Sequence, residues 1–279
     1  MSRVRLAALS LLAVAGMSAV ALSSGVIKPN GDSTPADPTS GGTPTFVFAD
    51  EFDGPAGSAP SSSLWMASNY CDRWGSLSCN TSRSQNVSLD GAGHLRITAL
   101  RERYTDPHGA RGTYTSARIR SKIKFRYGRV LARVRMPADK GLFPSVWGRT
   151  DRRSDGVFGE YDITEVLGHA PNRSYCSSHS WGGSNQRLAG LTASTIGSRL
   201  ASGFHTYELD WTPDAITYRL DDRLCATHTR SQVQPWPFDS TPGDIMLGMA
   251  VGGSWPGSPD STTTFPATML VDSVHVYAL

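Results

Sequence analysis

The sequence predicts an all-β fold: two antiparallel sheets stacked as a sandwich or jelly roll. Three observations carry that expectation. Apolar residues recur in short stretches with the period of strands, as where Val130, Ala132, Val134 and Met136 oppose Arg129, Arg133 and Arg135. Turn signals such as Tyr127-Gly128, Thr212-Pro213-Asp214 and Asp221-Asp222 separate the stretches. Beyond the N-terminal segment no uninterrupted helical pattern of a dozen residues occurs. Many short strands in one chain must cover each other's apolar faces, which two stacked sheets do.

Taken in chain order, Arg3 and Arg5 precede an almost uncharged run from Leu6 to Ile27, rich in Ala, Leu, Val and Ser. This is the pattern of a signal peptide, so residues 1–27 are expected to be removed on export. A membrane anchor is the rival reading, since a run of about 20 apolar residues spans a bilayer. Serines and glycines interrupt the run and favour the signal peptide. Residues 28–45, KPNGDSTPADPTSGGTPT, hold nothing to bury and read as a linker. Residues 46–279 then read as a single domain. Further strand-like runs fall at 94–100, 117–126, 160–167, 174–181, 204–211, 215–220, 224–229, 244–251 and 269–279.

Charged residues make up only 18% of the chain and the formal net charge is +3, falling to +1 once Arg3 and Arg5 leave. Nucleic acid is excluded as a partner on that balance. Export makes disulfides expected, and Cys71, Cys79, Cys176 and Cys225 allow three connectivities. Cys71 with Cys79 would close a short polar loop, and Cys176 with Cys225 would join two candidate strands. Free buried thiols are the alternative. No Cys-x-x-Cys or Cys-x-x-His spacing suggests a metal.

The most informative stretch runs from Gly159 to Val166, GEYDITEV, with three carboxylic acids inside six residues of an expected strand. In a regular strand Glu160 and Asp162 share a face, whereas Glu165 lies an odd number of residues away and points to the other. A one-residue β-bulge at Ile163 or Thr164 would restore the phase and aim all three acids into one cleft. Glu160 and Glu165 would then stand roughly 13 Å apart at their α-carbons, and leaning side chains bring the carboxyl groups to roughly 5 Å. A carboxyl pair about 5–5.5 Å apart suits glycoside hydrolysis with retention. One carboxylate attacks the anomeric carbon, while the other, kept protonated by crowded like charge, protonates the leaving oxygen. A solvated acidic edge or a calcium site is the alternative for this segment taken alone.

The Glu-x-Asp-x-x-Glu pattern carried by GEYDITEVLGHAPN resembles the active-site strand of glycoside hydrolase family 16, in its laminarinase-like branch of endo-β-1,3-glucanases. The likeness extends through FVFADEFDGPAG, NVSLDGAGHLRITALRE, YTSARIRSKIKFRYGRVLARVRMP, LFPSVW, FHTYELDWTPDAITYRLDD and MAVGGSWPGSPDSTTTFPATMLVDSVHVY, in the family's order. It implies a concanavalin-like β-jelly-roll sandwich with an open substrate cleft on its concave face, and a secreted, monomeric, retaining endo-glycosidase of β-1,3-glucan. By position it implies Glu160 as nucleophile, Asp162 as its assistant and Glu165 as acid/base. It places His179 at the catalytic centre, Trp147, Trp181 and Trp255 as cleft walls, and Arg118 against sugar hydroxyls; a structural role is the alternative for each.

No cofactor is implied for catalysis. A structural calcium is, at Glu51, the Gly93 carbonyl and Asp272. Asp272 shares strand parity with Leu270, Val274 and Val276, so it is expected to point towards apolar company and to need a counter-charge, for which an arginine is the rival to calcium. The chain departs from the family's pattern at Trp74-Gly75-Ser76-Leu77-Ser78, Phe143 and Ser254, positions expected to touch sugar. Hydrolysis or transglycosylation of β-1,3-1,4-glucan or β-1,3-galactan, and non-catalytic glucan binding, are the alternatives in substrate and class.

Overall fold

A computed structural model describes residues 45–278, except 72–74, 183–184 and 196–199, and describes 185–195 by backbone alone. The expected signal segment and most of the linker lie outside the described residues, as does Trp74.

One sheet runs, in spatial order, β18 (Arg223–Thr229), β17 (Ala215–Leu220), β16 (His205–Trp211), β11 (Gly128–Arg135), β20 (Ala267–Tyr277), β6 (Leu95–Ala99) and β5 (Val87–Leu89). β1 (Phe46–Asp50) also pairs with β20. The second sheet runs β15 (Asn185–Thr195), β14 (Arg173–Gly182), β13 (Phe158–Glu165), β12 (Leu142–Arg149), β19 (Met246–Val251), β10 (Arg118–Ser121) and β2 (Trp65–Ala67). Short pieces complete the set: β3 (Tyr70–Cys71), β4 (Ser78–Asn80) and β9 (Tyr114–Ser116) form one ribbon, β7 (Tyr104–Thr105) and β8 (Arg111–Gly112) another. Among the described residues the only helical piece is a single turn, Leu200–Ser202.

The alternation read from sequence is the one observed. Val130, Ala132, Val134 and Met136 are fully buried, in one core with Leu209, Trp211, Val146, Tyr161, Ile163 and Leu247 from both sheets. Each Val, Leu, Ile or Met side chain so removed from water contributes about 1.5–3 kcal/mol. β12 and β15 were absent from the expected strand runs. Pro144 masks β12, because proline cannot donate to a sheet ladder. It is tolerated because it lies where β13 has ended, its carbonyl accepting the Val166 amide at 3.1 Å. β15 is masked by glycine and polar residues.

Asp221 and Asp222 both take positive φ, 48° and 62°, which is what a two-residue turn between right-twisted strands requires. The disulfides are Cys71–Cys79, directly opposed on β3 and β4, and Cys176–Cys225, which ties β14 of one sheet to β18 of the other.

The reading of Asp272 is corrected. The register of β20 against β11 slips between Val271 and Ser273, so Asp272 is the extra residue of a bulge. Val274 and Val276 are buried, while Asp272 turns outwards with His275 and Tyr277, half-buried. Its partners are the guanidinium of Arg133 at 3.0 Å and the His94 ring at 3.5 Å. Glu51 meets the His275 ring at 2.5 Å. The arginine offered as the rival to calcium is the counter-charge that Asp272 meets here.

Candidate active site

The catalytic-looking strand β13 is central in its sheet, between β12 and β14. Its underside is fixed in the core: the Tyr161 hydroxyl donates to the Asp244 carbonyl at 2.7 Å, and Tyr161 packs on Trp211. Gly148 on β12 permits this, because a Cβ there would come within 2.0 Å of the Asp244 oxygen and 2.3 Å of the Tyr161 ring. The strand's first turnover into the sheet is held by the Gly159 amide, which donates to Thr150 Oγ1 at 2.8 Å.

The phase problem is solved by a bulge. Against β12, Asp162 pairs with Trp147 and Thr164 with Val146, so Ile163 has no partner. Against β14 the register shifts between Asp162 and Glu165. Ile163 drops into the core, and Glu160, Asp162 and Glu165 line one cleft of about 880 Å³ on the outer face of the sheet. An ordinary strand would have sent Glu165 to the opposite side.

The cleft assembles most of the residues expected there. Trp147, Trp181, Trp255 and Arg118 all line it. Trp255 stands exposed at one end, braced edge-on by Phe143 and Tyr175, with ring centroids 5.6 and 5.3 Å away. Arg118 lies over the Trp147 ring at 5.3 Å and donates to the Tyr70 hydroxyl at 2.7 Å. Trp181 stacks near-parallel on Phe158 and on His179. Flat indoles suit the C–H faces of sugar rings. Of the positions where the chain departs from the family's pattern, Ser76, Phe143 and Ser254 line the cleft.

Asp162 is buried, and its carboxylate is held by two groups of β14. The Ser177 hydroxyl donates to Oδ2, and His179 Nε2 lies 3.0 Å from the same oxygen. Among the described contacts Asp162 makes no hydrogen bond to Glu160, so it acts on Glu160 through charge at short range. Polar atoms of Glu160, Asp162 and His179 lie within 4.8 Å of one another. Ser177 was not anticipated. Its signal was its spacing, two residues before His179 and therefore on the same face.

The electrostatics separate the two glutamates. Burial and the charge of Asp162 push Glu160 up to about 7, while His179, Arg149 and the Trp181 indole favour its anion. That indole N–H lies close enough to Glu160 to favour its anion without meeting the geometry of a full hydrogen bond. Glu165 is pushed far above the ordinary carboxylate range, by burial first and then by Asp162 and Glu160, with no cation opposing. Burial disfavours the charged form of His179, but the hydrogen bond and charge of Asp162 outweigh it and raise the imidazole. One carboxyl thus ionises well before its neighbour, which is the asymmetry that paired acid and nucleophile roles need.

Comparison with known proteins agrees with this geometry. Residues 75–267 match the model of glycosyl hydrolases family 16. A β-glucanase of Rhodothermus marinus is 32% identical over 251 residues, covering 83% of this chain and 84% of its own. A glucan endo-1,3-β-glucosidase of Cryptopygus antarcticus is 31% identical, covering 75% of this chain and 81% of its own. The solved structure of an endo-β-1,3-glucanase from Pyrococcus furiosus superposes with a TM-score of 0.74 at 33% identity, covering 84% of this chain and 94% of that one. The fold, the bulged acidic strand and these matches together place the chain in glycosyl hydrolases family 16.

Proposed function

We propose that the protein is a secreted, retaining endo-β-1,3-glucan hydrolase. The observation that carries the reading is the convergence of Glu160, Asp162 and Glu165 in one cleft with Glu165 held protonated. Relatives that act on β-1,3-glucan support the substrate, and an open cleft walled by Trp147, Trp181 and Trp255 supports internal cleavage of a polymer.

The ionised Glu160 attacks the anomeric carbon as the glycosidic C–O bond breaks, and Glu165 gives its proton to the departing oxygen. A glycosyl ester on Glu160 results. Glu165, now a carboxylate, takes a proton from water, and the oxygen of that water attacks the anomeric carbon on the face the leaving oxygen vacated, opposite Glu160, breaking the ester bond and retaining the configuration. His179 and Ser177 hold Asp162 in place throughout. Two disulfides support export, since such bonds persist in oxidising compartments.

Proton NMR of laminarin digestion is expected to show the β-anomer released first and a falling degree of polymerisation before any glucose accumulates. Release of the α-anomer, or cleavage of a β-1,3-galactan in place of laminarin, would overturn the assignment. The pH dependence is a separate prediction. Activity requires Glu160 ionised, so kcat/KM is expected to rise with pH through about 7. It falls at higher pH as Glu165 loses its proton. A profile with no acidic limb between pH values of about 6 and 8 would contradict the burial of Glu160.

A further inference from the structure

We propose that the end of the cleft around Phe158 holds an anionic substituent of the bound sugar, sulfate or carboxylate, between the guanidinium groups of Arg149 and Arg152. The proposal rests on the reading of this cleft as a glycan-cleaving site and specifies what the glycan carries.

Arg149 is the β12 residue opposite Glu160, two positions beyond Trp147 and so on the same cleft face. Its guanidinium carbon sits 5.3 Å from the Trp147 ring centroid and 5.9 Å from that of Phe158. Arg152 lies over the same Phe158 ring at 4.4 Å. Two cations are therefore gathered on one phenyl ring inside the cleft. Stacking occupies the flat faces of a guanidinium and leaves its in-plane N–H fork free, the geometry that receives a carboxylate or sulfate through paired hydrogen bonds.

Among the described residues no carboxylate fills that fork. Asp151 pairs with Lys124 and Asp155 with Arg153. Arg152 spends one donor on the Gly156 carbonyl at 2.6 Å, and Arg149 makes no side-chain hydrogen bond among the described residues. Glu160 is the cleft-lining acid whose charge reaches Arg149, and Asp244 acts on it from outside the cleft lining. Esterification of Glu160 by the sugar removes that charge. A half-buried guanidinium then loses its counter-charge on the cleft side at the moment a glycan occupies the cleft. An anionic group on the sugar ring restores the balance; a neutral ring does not.

The test is a binding measurement, so that it does not depend on turnover. Glu165→Gln copies the protonated form of Glu165 and prevents cleavage. Calorimetric titration of this variant with laminaripentaose, with its sulfated form and with its carboxymethylated form at low salt is expected to show at least one anionic form bound about tenfold more tightly than the neutral one. The preference shrinks as NaCl is raised to about 0.5 M. It disappears when Arg149→Gln and Arg152→Gln are added, and persists in part with Arg149→Lys and Arg152→Lys, thermal melts verifying that each variant is folded. Equal affinity for the three ligands, or a preference that survives loss of both arginines, overturns the anionic subsite alone. Failure to bind any of the three overturns the glycan reading with it.

Discussion

Glu160→Gln is expected to lower kcat on laminarin by about 10⁴-fold or more while the fold stays intact. Glutamine keeps the volume of Glu160 and its place between Trp181 and Arg149, but its amide cannot form the glycosyl ester. Stability gives an independent sign. Burial raises Glu160 to about 7, above the ordinary carboxylate value, so the folded state holds that proton more tightly than the unfolded chain does. Stability from this group is full at low pH and is lost as pH rises through about 7. At pH values near 8 the variant should therefore melt at or above the temperature of the parent, although it is almost inactive. A loss of activity below tenfold would remove Glu160 from the nucleophile's role, and a melting temperature well below that of the parent would contradict the burial cost of its charge.

The second large effect belongs to Cys176–Cys225. The bond closes a loop of 49 residues and joins the two sheets. Loop-closure entropy assigns it about 4 kcal/mol, against about 2.5 kcal/mol for Cys71–Cys79 with its separation of 8. Replacing Cys176→Ser and Cys225→Ser together is expected to lower Tm by roughly 10 °C or more. Activity should fall as well, because Cys176 packs against the bulge: its sulfur lies 3.5 Å from the Ile163 carbonyl. The matching pair Cys71→Ser and Cys79→Ser is expected to cost less in Tm and to leave the bulge undisturbed. Equal losses from the two pairs would mean that the unfolded chain is not restrained in the way loop length requires.

Much of the fold was legible because strands declare themselves through alternation. Arg129, Arg133 and Arg135 against Val130, Ala132 and Val134 fixed both the strand and its buried face. The long strands that escaped notice are those whose composition suppresses the pattern, Pro144 in β12 and the glycine-containing polar run of β15. Arg149 and Ser177 were legible in principle, each two residues from a named cleft residue, but only tertiary structure showed that these faces open onto a cleft.

The paired bulges mark the boundary most sharply. On β13 the three acids made sense only if a residue was absorbed, and the chemistry of the acids themselves demanded it. On β20 nothing demanded it, and strict alternation misdirected Asp272 into the core. The amino-acid string by itself determined most of the strands and the acidic motif, because these depend on local period and on residue type. Tertiary structure alone decided which neighbour shares a charge: Asp272 with Arg133, Asp162 with Ser177 and His179, and Arg149 with Glu160. Such partners are far apart along the chain, and a slip of one residue in register is enough to exchange them.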